Sequence, residues 1–244
     1  MIPIRDHNPS QRTPVVVYAL IAVDVAICIW TALVLTTDTE LARLYYHYAL
    51  IPALVSDGLG WSGFLTSIFL HGGPLHLAGN MLFLWIFGDN LEDQMGHLGF
   101  LGFYLATGLV AAAAQIFAAP ASLVPMVGAS GAIAGVMGGY LLMFPRAKVD
   151  VVVIIVILIK VFTLPAWVML GLWFGFQLFG GFTVTGDEGG VAYWAHAGGF
   201  VAGVVLTLPL FLRRGGPEFW QVTHGHPPHK AATYQRTRIP QVRR

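Results

Sequence analysis

The chain has 244 residues, of which 56% are hydrophobic and 10% charged, with a mean hydropathy of +0.70. A soluble domain carries about a quarter charged residues, so this composition excludes one and points to a polytopic membrane protein. A formal net charge of +1 names no acidic partner, no nucleic acid is expected, and the single cysteine, Cys28, rules out an intramolecular disulfide.

Residues 1–14 are polar and are expected to form a cytoplasmic segment. Val15 to Leu35 follows as a first span, too long for a signal peptide and without a cleavage site. The amphipathic stretch after it carries Glu40, Arg43, Tyr45, Tyr46 and Tyr48, which suits a loop lying in the membrane interface. A second span runs from about Leu75 to Gly88 into an acidic turn, Asp89 to Asp93, and a third from Leu98 to Ala118. Pro120 and Pro125 break the chain before a short fourth span, which begins at Ser130 and is stopped by Pro145 and Arg146. Between Val149 and Thr163 a β-branched run fits periods of 2 and 3.6 equally, and it reads as a re-entrant or interfacial connection. Pro165 suits the first turn of a fifth span reaching about Phe182. A glycine-rich loop, 180–190, leads to the sixth span, Val191 to Leu212, closed by Arg213 and Arg214.

The expected fold class is therefore an all-α membrane protein, a six-helix transmembrane core over 15–213 with an interfacial loop after the first helix. Residues 214–244, rich in Pro, His and Arg, read as a disordered basic tail. His224, His226 and His229 lie there without a partner cluster, so no metal is expected, and nothing in the chain calls for a cofactor. With the N-terminus inside, Arg5, Arg12, Arg146, Lys148, Arg213, Arg214 and the tail's basic residues all fall on the cytoplasmic side, and Arg43 falls outside. The positive-inside rule then puts both termini in the cytoplasm of a plasma or inner membrane.

In this topology spans two, four and six begin on the external side, where the polar chemistry gathers. Span two opens with His71, His76 and Asn80, span four with Gly128-Ala129-Ser130-Gly131, and span six with Ala195-His196. His76 and Asn80 are four apart and share a helix face. Ser130 lies fourteen residues before Phe144 and His196 sixteen before Leu212. At 1.5 Å per residue these are matching depths of roughly 21 and 24 Å, short of a hydrocarbon core of about 30 Å. Glycines at 198, 199 and 203 offer a smooth face for close packing against span four, which would carry His196 to Ser130. Taken singly, Ser130 is a helix cap, His196 a histidine bonded between helices, and His76 and Asn80 headgroup contacts; three separate spans supplying these types at one depth favour catalysis. A serine becomes a nucleophile when a neutral imidazole takes its proton, and the first amides of its helix can stabilise an oxyanion. No carboxylate lies near His196 at its depth, so a Ser-His dyad is expected, its ring oriented by packing.

Gly128-Ala129-Ser130-Gly131, His76 with Asn80, and Ala195-His196 followed by Gly199 resemble the rhomboid family of intramembrane serine proteases. The resemblance implies Ser130 as nucleophile, His196 as general base, and His76 with Asn80 as the side-chain part of an oxyanion hole completed by the Ser130 and Gly131 backbone. It further implies transmembrane protein substrates within the lipid bilayer, cut near their external ends. Gly128, Gly199 and Gly203 are expected to be structural. Two departures stand out: Ala134 occupies a position often aromatic in the family, where the ring stacks on the histidine, and the Trp-Arg pair of the first external loop is missing. The alternative function is a rhomboid-like protein that binds and escorts transmembrane helices, against which the retained serine and histidine argue. A transporter built around Asp24 would call for inverted repeats, and none is evident; the bland reading of Asp24 is a hydrogen-bonded group packed against another span. Trp173, Phe174 and Phe176 of span five are bulky enough to close a lateral gate toward Ala78 and Gly79 of span two.

Overall fold

The computed structural model describes residues 2–8, 10–155, 158–184 and 190–228. A strand β1 (Ile2–Asp6) precedes helix α1 (Val15–Val34), and short helices α2 (Asp38–Tyr48), α3 (Pro52–Ser56) and α4 (Gly63–Thr66) lead to α5 (Pro74–Met95) and α6 (His97–Ala118). Helix α7 (Ser130–Met143) is followed by strands β2 (Lys148–Ile155) and β3 (Leu158–Pro165), then α8 (Ala166–Thr183), α9 (Tyr193–Arg213) and α10 (Pro217–Thr223). Four of these, α1, α6, α8 and α9, are long and apolar enough to cross a membrane, and α7 is a shorter apolar helix. The molecule is a mostly helical integral membrane protein.

The shortest of the long helices sits at the centre. Ten of the fourteen residues of α7 are buried, among them Ala134, Met137 and Tyr140, because every side of it meets another helix. On α9 the approach is backbone to backbone: a Cβ at Gly199 would stand 2.1 Å from the Gly131 carbonyl oxygen, and one at Gly203 1.9 Å from that of Gly135. No side chain fits there, so the two glycines set the distance between the helices that carry Ser130 and His196. Gly198 does not share that face; it meets Ala114 of α6 instead.

The opposite end of α7 is closed by polar pairing. Tyr140 donates to Asp6 at 3.1 Å, Asn8 donates to the Tyr140 hydroxyl at 3.1 Å, and Asn90 donates to the Asn8 carbonyl at 2.7 Å. Helix α1 has no side-chain cap of its own, and the buried Glu92 of α5 supplies one, accepting from the Val16 and Val17 amides at 2.9 Å each. That role explains why α5 runs on to Met95 where the sequence reading ended a span at Gly88 with an acidic turn. The acids are inside the helix, spent on neighbours.

The all-α expectation fails at residues 149–163. Strands β1, β2 and β3 form one antiparallel sheet, with Ile2 opposite Val152 and Lys148 opposite Pro165. Period 2 wins because β2 has two faces to satisfy: Val149 and Val151 enter the core, while Asp150 between them binds Arg5, His7 and Thr163 at 2.7–2.8 Å. These bonds, His7 first and then Thr163 and Arg5, outweigh burial and hold the Asp150 carboxyl well below the usual carboxylate range. The described residues before α1, 2–8 and 10–14, are thereby tied to the bundle rather than hanging from it.

The tail also departs from expectation over its described part. Helix α10 buries Phe219 against Phe144 and Phe211, and the Trp220 indole donates to the Leu142 carbonyl at 2.9 Å. Two aromatic anchors within seven residues are enough to dock it; His229 and the residues after it lie outside the described range. Asp24 is buried, and neither of its carboxyl oxygens has a hydrogen-bond partner among the described residues, so the hydrogen-bonded reading of it is not met.

Candidate active site

Gly128 makes the turn that starts α7. Its φ of +128° lies in the region that favours glycine, and its amide is held by the Ser67 carbonyl at 2.9 Å. A Cβ there would come within 2.8 Å of the His76 ring and 3.6 Å of the Asn80 amide nitrogen, so this glycine lets α5 close up beside Ser130. Ser130 and Gly131 are the first two residues of α7, where backbone amides have no intrahelical acceptor. A cavity of about 590 Å³ opens over them, lined by Ser130, His196, His76, Asn80, Gly128 and Trp173.

Within it the sequence-derived pair meets. The Ser130 hydroxyl lies 2.8 Å from His196 Nε2. On the other side of the ring, His196 Nδ1 lies 2.8 Å from the Gln177 side-chain oxygen of α8. An amide oxygen only accepts, so Nδ1 carries the proton and Nε2 is the acceptor for the serine hydroxyl. The Gln177 amide nitrogen faces the Trp173 carbonyl at 3.5 Å, which agrees with that orientation. The expectation that packing alone orients the ring is thus corrected. Packing contributes as well: Trp173 lies with its ring centre 5.8 Å from that of His196, on the α8 side, whereas Ala134 is buried in the core.

His76 and Asn80 sit on the other wall of the cavity. The Gly72 amide donates to His76 Nδ1 at 3.3 Å, which leaves the proton on Nε2 as a donor without an acceptor among the described residues. Asn80 is buried, and its side-chain nitrogen has no acceptor among the described residues. Two donors therefore flank the turn before Ser130 with their hydrogens unspent. His71, grouped with them in the sequence, lies before α5 and packs its ring 5.4 Å from that of His76 rather than lining the cavity. Among the described residues no group of three or more His, Cys, Asp or Glu has metal-binding geometry.

Sequence reasoning missed Gln177. The available signal was its isolation: between Ala166 and Phe182 it is the one side chain of α8 with an amide, in a helix otherwise apolar or aromatic. The gate residues read from the sequence separate into different roles. Trp173 faces His196, Phe174 stacks on Phe200 with ring centres 4.6 Å apart, and Phe176 alone points outward, 64% exposed.

The Rhomboid domain family model matches residues 59–213, which holds α5 to α9 and every residue of the cavity's polar set. Rhomboid protease GluP of Bacillus subtilis is 34% identical over 181 residues, 71% of this chain and 31% of that protein. Rhomboid protein 1, mitochondrial, of Saccharomyces cerevisiae is 32% identical over 148 residues, 58% of this chain and 39% of that protein. The chain thus spans about a third of the length of these curated relatives.

Proposed function

The chain belongs to the rhomboid family, and from that membership we propose that it is an intramembrane serine endopeptidase acting through a Ser130–His196 dyad. The observation that carries the reading is the 2.8 Å bond from the Ser130 hydroxyl to His196 Nε2 inside a cavity open to one end of the bundle. Ser130 Oγ attacks the scissile carbonyl carbon while its proton passes to Nε2, and the same proton then goes to the leaving amine. The carbonyl oxygen becomes an oxyanion facing the His76 Nε2–H, the Asn80 amide and the backbone amides of Ser130 and Gly131. Water reaching the acyl-enzyme through the open cavity completes hydrolysis.

In this reading α1, α5, α6, α7, α8 and α9 are six membrane spans, with both termini cytoplasmic and the cavity facing outside. Substrates are transmembrane segments of other membrane proteins, cut near their external ends. They reach the cavity between α5 and α8, where a Cβ at Gly79, Gly171 or Gly175 would meet nothing within 4 Å. The test is labelling of the purified protein with a fluorophosphonate: the adduct is expected on Ser130 and absent from Ser130→Ala, and equal labelling of the two proteins would end the proposal. A reversible disulfide engineered between α5 and α8 is expected to suppress cleavage of a transmembrane substrate and leave fluorophosphonate labelling intact. Unchanged cleavage would move the access route elsewhere.

A further inference from the structure

We infer that Gln177 is a positioning residue for the general base, holding the Nδ1 proton of His196 so that Nε2 stays free to take the proton of Ser130. This rests on the endopeptidase reading above and adds to it a member from the helix that borders the access route. The geometry is specific. Gln177 Oε1 and the Ser130 hydroxyl bind opposite ring nitrogens of His196 at 2.8 Å each, so the imidazole is spanned from two helices. A second contact from the same face of α8, one turn earlier, braces the ring: Trp173 lies with its centre 5.8 Å away. The helix with the nucleophile offers no such brace, since Ala134 is small and buried.

Neutral imidazole has two tautomers, and only the one protonated on Nδ1 can accept from serine. An amide oxygen selects that tautomer without adding a charge, which suits a site surrounded by apolar helices. Helices α6, α7 and α8 carry no Asp, Glu, Lys or Arg. His76 of α5 is the titratable group that lines the same cavity as His196. The Gln177 bond is therefore the direct polar restraint on Nδ1 that the described residues provide.

The experiment measures the second-order rate of fluorophosphonate labelling against pH for the purified full chain and for Gln177→Leu and Gln177→Glu, with melting temperatures for each. Removing the partner that orients a metal-bound histidine costs about 10- to 100-fold, and Gln177→Leu is expected to slow labelling by a comparable factor. Gln177→Glu keeps an acceptor at Nδ1 and adds a negative charge, so labelling is expected to recover to within a few-fold of the parent. The acid limb of its pH profile should move upward by about one unit or more. The parent rate in Gln177→Leu, or a parent pH profile in Gln177→Glu, overturns the inference and leaves the dyad standing. If Gln177→Leu does not fold, the pH profile of Gln177→Glu decides alone. A parent protein that labels no better than Ser130→Ala removes the endopeptidase reading itself, and the inference with it.

Discussion

The two ends of the helix bundle are both polar, and they treat their hydrogen bonds differently. Around β1 and the ends of α5 and α7, Asn8, Tyr140, Asn90 and Arg5 each give a hydrogen to a named acceptor, and the atoms left over among the described residues are the Asn90 and Gln94 side-chain oxygens and, deeper beside Gly139, the Thr207 hydroxyl. Around Ser130, the idle atoms among the described residues include a buried donor that lines the cavity, the Asn80 nitrogen. A buried donor without a partner costs about 1–3 kcal/mol and is rare in folded proteins. The difference teaches where each kind of work is done. One end spends its polar groups on holding the chain together, and the other keeps donors in reserve for a charge that exists only during reaction.

The largest effects are expected at the reserve end. Ser130→Ala and His196→Ala should each reduce proteolysis to background with melting temperatures close to that of the parent, and the double variant should be no worse than either single one, since the two act as a unit. Residual cleavage in either single variant would separate the bond from the chemistry. Asn80→Ala removes one donor and should lower turnover by up to about 10²- to 10³-fold with KM nearly unchanged; a rise in KM alone would make Asn80 a substrate-binding group. Trp173→Ala withdraws a ring contact of roughly 0.5–1.5 kcal/mol and should slow labelling by about 2- to 10-fold. Faster cleavage by that variant would restore Trp173 to the gate.

At the bonded end the expected changes are in stability. Asp150→Asn loses its charged partner in Arg5 and should cost about 1–3 kcal/mol by thermal or denaturant unfolding, while fluorophosphonate labelling of the folded protein stays at the parent rate. A comparable loss of labelling would mean that the two ends are coupled. The sign of the pH dependence follows from the direction of the shift. Because Asp150 is held below its ordinary value, its contribution is complete above about pH 4 and is lost as the pH falls through the lower, folded value. Asp6 works in the opposite sense, since burial is the main influence on it and raises it. Melting temperature against pH should therefore fall less steeply below about pH 4 in Asp150→Asn than in the parent.

The helical frame was legible because spans announce themselves locally. The starts of α1, α6 and α7 fall within a residue of the apolar boundaries, and Pro165 does stand immediately before α8. Ser130, His196, His76 and Asn80 were legible because each brings a polar side chain to the first turns of an apolar helix, and the structure lines one cavity with all four. What the sequence hid depends on partners far along the chain. Val149 to Thr163 has no decisive period of its own; it is a hairpin because β1, some 145 residues earlier, lies beside it. Glu92 reads as part of a turn until Val16 and Val17 are known to need its oxygens. Gln177 is a lone amide whose meaning appears only when α8 and α9 are placed side by side.

The distant pairing of β1 also orders events during synthesis. Residues 2–6 leave the ribosome well before Lys148–Ile155, and the bond from Arg5 to Asp150 spans 145 positions. At about 5–20 residues per second the first strand waits roughly 7–30 s for its partner, during which everything from α1 to α7 is synthesised. Ile2 and Ile4 remain nearly half exposed even after pairing, so the waiting strand is an apolar edge next to a membrane and a translation machinery. The sheet therefore cannot form until α1 to α7 have been synthesised, and α8, α9 and α10 are still to come when its strands can first pair.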